Sequence, residues 1–262
     1  MIKSRIVIFL VFGVLILNLA VSGDASALVT VQTNDDRVKI DFFYHGSAIK
    51  LSGLSNPVDA DLVIKVSSLE ETQRLRKKVK AAGLFWMNGG ELKFEHSPSV
   101  YLLYSTGKLD DILSREEMDR YVIGYPALSR HVDITPVANQ DEKTTFFNQF
   151  VNFKESSHLY AMSPEKIART VKDGKQHYSF ELNWPYEAPP DNYLVTVYEI
   201  KNKKVIGKAE ANIVVKQVGI VKTLCNMASN NGALYGVLAV MVALTAGFIV
   251  AVVFPKKAKV AH

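Results

Sequence analysis

"LYGVLAVMVALTAGFIVAVVFPKK", residues 234–257, decides where the rest of the chain resides. From Tyr235 to Phe254 twenty residues pass without a charge. At about 1.5 Å per residue a helix of that length reaches roughly 30 Å, the thickness of a bilayer's hydrocarbon. Eleven of the twenty are Val, Leu, Ile or Phe, and such residues favour insertion by roughly 0.3 to 0.6 kcal/mol each at a helix centre. A core helix of a soluble protein carries a polar stripe, and this stretch has none. The sequence therefore predicts one transmembrane helix over 235–254. A juxtamembrane linker over 219–234 precedes it, with room for a short amphipathic helix.

Pro255, Lys256, Lys257 and Lys259 follow at once. Positive charge beside a span marks the cytoplasmic side, so 255–262 reads as a cytoplasmic tail and the preceding domain lies outside. The other end agrees. Lys3 and Arg5 make a basic n-region, Ile6 to Val21 an apolar h-region, and Ala25-Ser26-Ala27 an A-x-A cleavage signal. Residues 1–27 are expected to be a signal peptide cut after Ala27; an uncleaved anchor would leave the topology unchanged. Across a bacterial inner membrane, the domain over 28–218 would be periplasmic.

The formal charge of +5 belongs mostly to these flanks, since Leu28 to Gly232 holds 26 basic and 25 acidic residues. A near-neutral exported domain gives no footprint for nucleic acid. About 200 residues can bury a good core. Cys225 is the one cysteine, which excludes an intrachain disulfide. Its ordinary reading is a small buried residue near the membrane; an interchain disulfide or a catalytic thiol is the sharper one.

The domain opens on strand-like stretches, "RVKIDFFYHG", "AIKLSGL" and "ADLVIKVSS". In the last, Leu62, Ile64 and Val66 would form one apolar face opposite Val63, Lys65 and Ser67. "SLEETQRLRKKVKAAG" is ambiguous: Ser68 with Glu71 fits a capping box and Gly83 a helix stop, yet the apolar residues are sparse and a strand stays open. Asn88-Gly89-Gly90 reads as a turn between β-rich runs, and a strand follows at Val100 to Ser105. From Lys108 to Val122 the apolar spacing is helical. A second helix over 141–154, begun by Asn139 with Glu142, sets Phe146, Phe147, Phe150 and Val151 on one face. Packing on a sheet is the ordinary reading of that cluster, and a lipid or ligand groove the alternative. "KDGK" at 172–175 and "KNKK" at 201–204 read as hairpin turns between late strands. The whole predicts a mainly β chain: an Ig-like β-sandwich with a helical insertion at about 108–155, then one C-terminal transmembrane helix.

These pieces also resemble a known family. "DADLVIKV", "RKKVKAAGLFWMN", "PSVYLLYSTG" and the closing "PPDNYLVTVYEI…VVKQVGI…LYGVLAV" are, in that order, similar to the Alph-Pro-TM transmembrane family, single-pass proteins first described in Alphaproteobacteria. The likeness covers most of the exported domain and enters the span. The chain differs in having "LEETQ" at 69–73, where the family leads a Gly-Pro turn into a strand. The resemblance implies no catalytic residues, because the family has no established activity. It implies a membrane partner, since its members tend to be encoded near sulfite-exporter-type permeases.

Motifs of chemistry are scarce. His45, His96, His131, His158, His177 and His262 are scattered without metal-ligand spacing. Ser129, His131 and Asp133 lie too close along the chain to form a triad by themselves. There is no G-x-S-x-G, no phosphate-binding P-loop and no dinucleotide fingerprint, so neither an enzyme nor a cofactor is expected. Arg74, Arg76, Lys77, Lys78 and Lys80 form the one dense charge cluster. A solvated face is its ordinary reading; a patch for lipid headgroups or a small anion is the other, at about 1 kcal/mol per residue near an anionic surface. In the span, Ala239, Ala243, Gly247 and Ala251 recur every four residues. Such a ridge lets helix backbones approach closely in lipid, so it is either chance in an Ala-rich span or a docking face for a second copy or a multi-pass partner. The sequence thus predicts a membrane-anchored periplasmic interaction module, accessory to a transporter in the preferred reading. The alternative is a protein that presents a small anion or lipid to a membrane partner.

Overall fold

The computed structural model describes residues 29–81, 85–163 and 167–254. The expected signal peptide and cytoplasmic tail lie outside them.

Two sheets face each other across the first core. One has the order β1-β3-β11-β10, from β1 (Gln32–Thr33), β3 (Ala48–Ser55), β10 (Ala168–Lys172) and β11 (Lys175–Asn183). The larger sheet runs β2-β13-β12-β4-β7-β9, from β2 (Arg37–Ile40), β4 (Asp61–Ser68), β7 (Tyr101–Ser105), β9 (Tyr160–Ser163), β12 (Asn192–Lys201) and β13 (Lys204–Gln217). Alternation along β11 shows why these sequences pair. Gln176, Tyr178, Phe180 and Leu182 are buried while the residues between them are exposed, the period of a half-buried strand. They meet Leu62, Ile64, Val66, Val195 and Val197 from the larger sheet. The "KDGK" and "KNKK" turns are as expected. Asp173 and Gly174, then Asn202 and Lys203, hold positive φ, the backbone of tight two-residue hairpins.

Strand β4 corrects the expectation of a single apolar face. Leu62, Ile64 and Val66 enter the first core, but Val63 points the other way into a second one with Tyr101, Leu103, Tyr198 and Ile200. The larger sheet is covered on both sides because the helical insertion lies on its outer face. That insertion contains α1 (Leu109–Ile112), α2 (Arg115–Tyr121), α3 (Tyr125–His131) and α4 (Gln140–Ser156), with β8 (Asp133–Thr135) before α4. The helical spacing over 108–122 is interrupted where Leu113 is extended and the Ser114 hydroxyl accepts from the Glu117 N–H, starting α2 afresh. Helix α4 begins as its sequence predicts. Asn139 Oδ1 accepts from the Glu142 N–H at 2.8 Å, and Glu142 Oε2 accepts from the Ala138 N–H at 2.6 Å.

The ambiguous stretch after Ser68 is a strand. β5 (Glu70–Ala81) pairs antiparallel with β6 (Phe85–Pro98), and β6 with β8. Ser68 caps no helix; its hydroxyl accepts from the Ser99 N–H at 2.7 Å and donates to the Leu69 carbonyl, fixing the corner between β6 and β7. Asn88-Gly89-Gly90 is likewise no turn. Arg76 stands opposite Glu91 and Lys78 opposite Asn88, so Gly89 and Gly90 absorb an extra residue as a bulge, with Gly90 at φ +113°.

After β13 come α5 (Gly219–Asn230) and α6 (Gly232–Val253). Ile220, Val221, Leu224, Met227 and Ala228 make an apolar stripe on α5 at helical spacing. Helix α6 has 22 residues, including an 18-residue stretch of mean hydropathy 2.7, and no buried residue. It is the one candidate membrane span among the described residues, set three residues earlier at its start than the sequence predicts.

Candidate functional site

The basic cluster sits on β5, and strand alternation divides it. Arg74, Arg76, Lys78 and Lys80 are exposed on the outward face, while Gln73, Leu75 and Lys77 are half-buried on the inward one. Same-face residues on a strand repeat at roughly 6.7 Å, so the four outward cations form a row about 20 Å long. Glu91 Oε1 approaches Arg74 Nη1 at 3.4 Å with both side chains well exposed. Such a pair contributes little to stability but lowers the net charge of the row. Lys93 stands directly opposite Arg74 and restores it.

Lys77 belongs to a different environment. Its ammonium lies 5.4 Å from the ring centre of Phe146 on α4, within range of a cation–π contact. Here the sequence's two clusters, the cations of β5 and the phenylalanines of α4, come together. Between them runs a groove of about 570 Å³. Leu75, Leu92 and Phe94 form its sheet wall; Phe146, Phe150 and Phe153 form its helix wall. Helix α4 uses two faces. Phe147, Phe150, Val151 and Lys154 are buried in the core, whereas 146, 149, 150 and 153 line the groove at i, i+3, i+4 and i+7 spacing. Phe153, 51% exposed, is the groove residue the phenylalanine pattern missed, although its spacing from Phe146 was legible.

The floor beneath is aromatic. Phe94 stacks on Phe150, and Phe150 meets Tyr160 edge-on at 5.6 Å. The Tyr160 hydroxyl donates to the Pro98 carbonyl at 2.7 Å. Lys154 Nζ donates to the Ser99 carbonyl at 3.2 Å, close to the Phe150 and Tyr160 rings. Burial holds its pKa down to about 8, against a weaker upward pull from Glu71. Burial raises the Tyr160 hydroxyl well above its ordinary value.

Elsewhere the sequence motifs separate. His131 Nε2 bonds Glu70 Oε1 at 2.8 Å, and Asp133 lies 3.5 Å from Lys143 and 3.9 Å from His96. Among the described residues no group of three His, Cys, Asp or Glu side chains is placed to hold a metal. Cys225 is exposed on α5 rather than buried as its position suggests. On α6 the ridge of Ala239, Ala243, Gly247 and Ala251 is open along the helix, and a Cβ added at Gly247 would meet nothing within 4 Å.

A domain with two cores followed by one apolar, wholly exposed helix defines a membrane protein with, among the described residues, one candidate span near the C-terminus. The family model described as "Putative transmembrane protein (Alph_Pro_TM)" matches residues 28–256, and the chain belongs to that family. No curated protein matches it.

Proposed function

We propose that this chain is a single-pass, membrane-anchored interaction module. Its β-rich domain stands on the periplasmic side of the inner membrane and its C-terminus faces the cytoplasm. The observation that supports this is the junction itself. β13 leaves the folded domain directly into amphipathic α5, and α5 into the apolar α6. An amphipathic helix of this kind lies in the headgroup plane. In this reading the module acts by contact rather than by catalysis. Its partner is a multi-pass membrane protein or a second copy, engaged through Ala239, Ala243, Gly247 and Ala251; a sulfite-exporter-type permease is the partner class the family resemblance implies.

Crosslinking in intact cells, followed by identification of what is attached to α6, tests the partner. Gly247→Ile should abolish co-purification in mild detergent, because a branched side chain on the ridge holds the backbones apart. An unaffected complex would show the ridge to be idle. Orientation is tested in a Cys225→Ser background with Lys203→Cys in the exposed β12–β13 turn. An impermeant maleimide should label that thiol in intact spheroplasts. Labelling only after lysis would reverse the topology.

A further inference from the structure

We propose that the groove between α4 and the β5–β6 hairpin binds the hydrocarbon chain of a long-chain anionic amphiphile, with its carboxylate or phosphate head at Lys77. The site is independent of any contact made by α6, so loss of the partner complex would leave it intact.

Three observations carry this. The first is charge. The groove is bordered by Arg76, Lys77 and Lys78, with Gln149 the other polar group and no acidic side chain among the described lining residues. Lys77 is the member of the basic cluster turned inward, and among the described residues the Phe146 ring, not a carboxylate, receives it. A head group bearing negative charge would find a charge-assisted donor there.

The second is the wall chemistry. Six aliphatic and aromatic side chains face one another across the space. Phe153 is 51% exposed at its mouth, and Met87 and Phe85, on the groove-facing side of β6 nearer the hairpin end, are 56% and 71% exposed. Apolar surface gathered this way marks a binding groove.

The third is size. A volume of about 570 Å³ falls within the range of small-molecule sites. A helix roughly 10 Å across would fill that volume in about 7 Å of its length, too little for an amphipathic peptide to bury its anchors. A single alkyl chain needs no such width. The walls are also fixed before any ligand arrives, since Phe147, Phe150 and Val151 hold α4 in the core.

The test uses the full chain in its own membrane vesicles. The probes are palmitate carrying a diazirine on its chain and the matching neutral alcohol, with attachment sites read by peptide mass spectrometry. The carboxylate is expected to label 146–153, 75–78 and 92–94. Phe153→Gln, at an exposed position, should remove most of that labelling while circular dichroism stays unchanged. Lys77→Gln should weaken labelling by the carboxylate about five- to tenfold, the equivalent of roughly 1 to 1.4 kcal/mol, and leave the alcohol unaffected. Labelling confined to 220–254 would overturn the proposal, because the bilayer alone explains it. Equal labelling by alcohol and carboxylate would overturn the anionic class. A protein crosslinked across 146–153 with no lipid adduct would assign the groove to a polypeptide partner instead.

Discussion

Phe94 of β6 and Phe150 of α4 stack with ring centres 4.4 Å apart and planes 17° from parallel. This contact joins the long hairpin to the helical insertion, and it sits where the second core ends and the groove begins. Phe150→Ala leaves a cavity in that core and should cost about 3–5 kcal/mol. Phe153→Ala, one helical turn along and exposed, should stay within about 1 kcal/mol. Urea unfolding followed by circular dichroism separates the two. Similar costs would mean that the groove wall, and not the core face of α4, bears the load.

The Tyr101 hydroxyl donates to the Val122 carbonyl and accepts from the Gly124 N–H, each at 2.8 Å. It thereby holds the link between α2 and α3, where Val122 is left-handed at φ +50°. Tyr101→Phe would leave the Gly124 N–H buried without its acceptor. The expected loss is about 1–3 kcal/mol, with faster amide exchange at Gly124 than elsewhere in the insertion.

Much of this architecture is written in local pattern. The span shows as an uncharged run, β11 as strict alternation, and α4 as Asn139 and Glu142 ahead of its phenylalanines. Three features are not local. β5 reads as helix or strand because Arg, Lys, Glu and Gln favour helix by propensity; pairing with β6 makes it a strand. Val63 looks solvent-facing until the insertion covers its side of the sheet. The groove needs Phe146, Phe150 and Phe153 to meet Leu75, Leu92 and Phe94, and no spacing along the chain brings those elements together. The five cations looked like one patch, whereas a period of two sends Lys77 away from its four neighbours.

Buried Lys154 and half-buried Lys65 make stability depend on alkaline pH. Burial lowers both Lys154 and Lys65 from 10.5 to about 8. Below about pH 8 both the folded and unfolded chains hold these protons, and the fold carries the desolvation cost. Between about pH 8 and 10 the unfolded chain binds more protons than the folded one, so stability rises with pH. Above pH 10 the sign reverses. Tyr104 and Tyr198 are raised by burial to about 12, so the unfolded chain loses those protons first. Denaturation midpoints should peak near pH 10, with a gain of about 1–2 kcal/mol over pH 7.5. Lys154→Met should flatten the rise. A midpoint falling steadily from pH 7.5 would contradict these assignments.

Gly53 in β3 sits where no side chain fits. A Cβ there would lie 1.9 Å from the Thr30 carbonyl oxygen and 2.6 Å from the Tyr178 hydroxyl. Thr30 in turn bonds Leu54 through both its N–H and its hydroxyl. Gly53→Ala should therefore release residues 29–33 from the sheet edge and cost upwards of about 2 kcal/mol. Limited proteolysis should cut earliest within that segment. A protease pattern identical to that of the parent chain would show that the edge accommodates the methyl group.

The topology rests on α6 being solvated by lipid. Its most direct test is alkaline carbonate extraction of vesicles carrying the full chain, beside a version ending at Asn231. The full chain should stay with the membrane pellet and the shortened one should pass to the supernatant. Release of the full chain into the supernatant would contradict the anchor and every topological statement built on it.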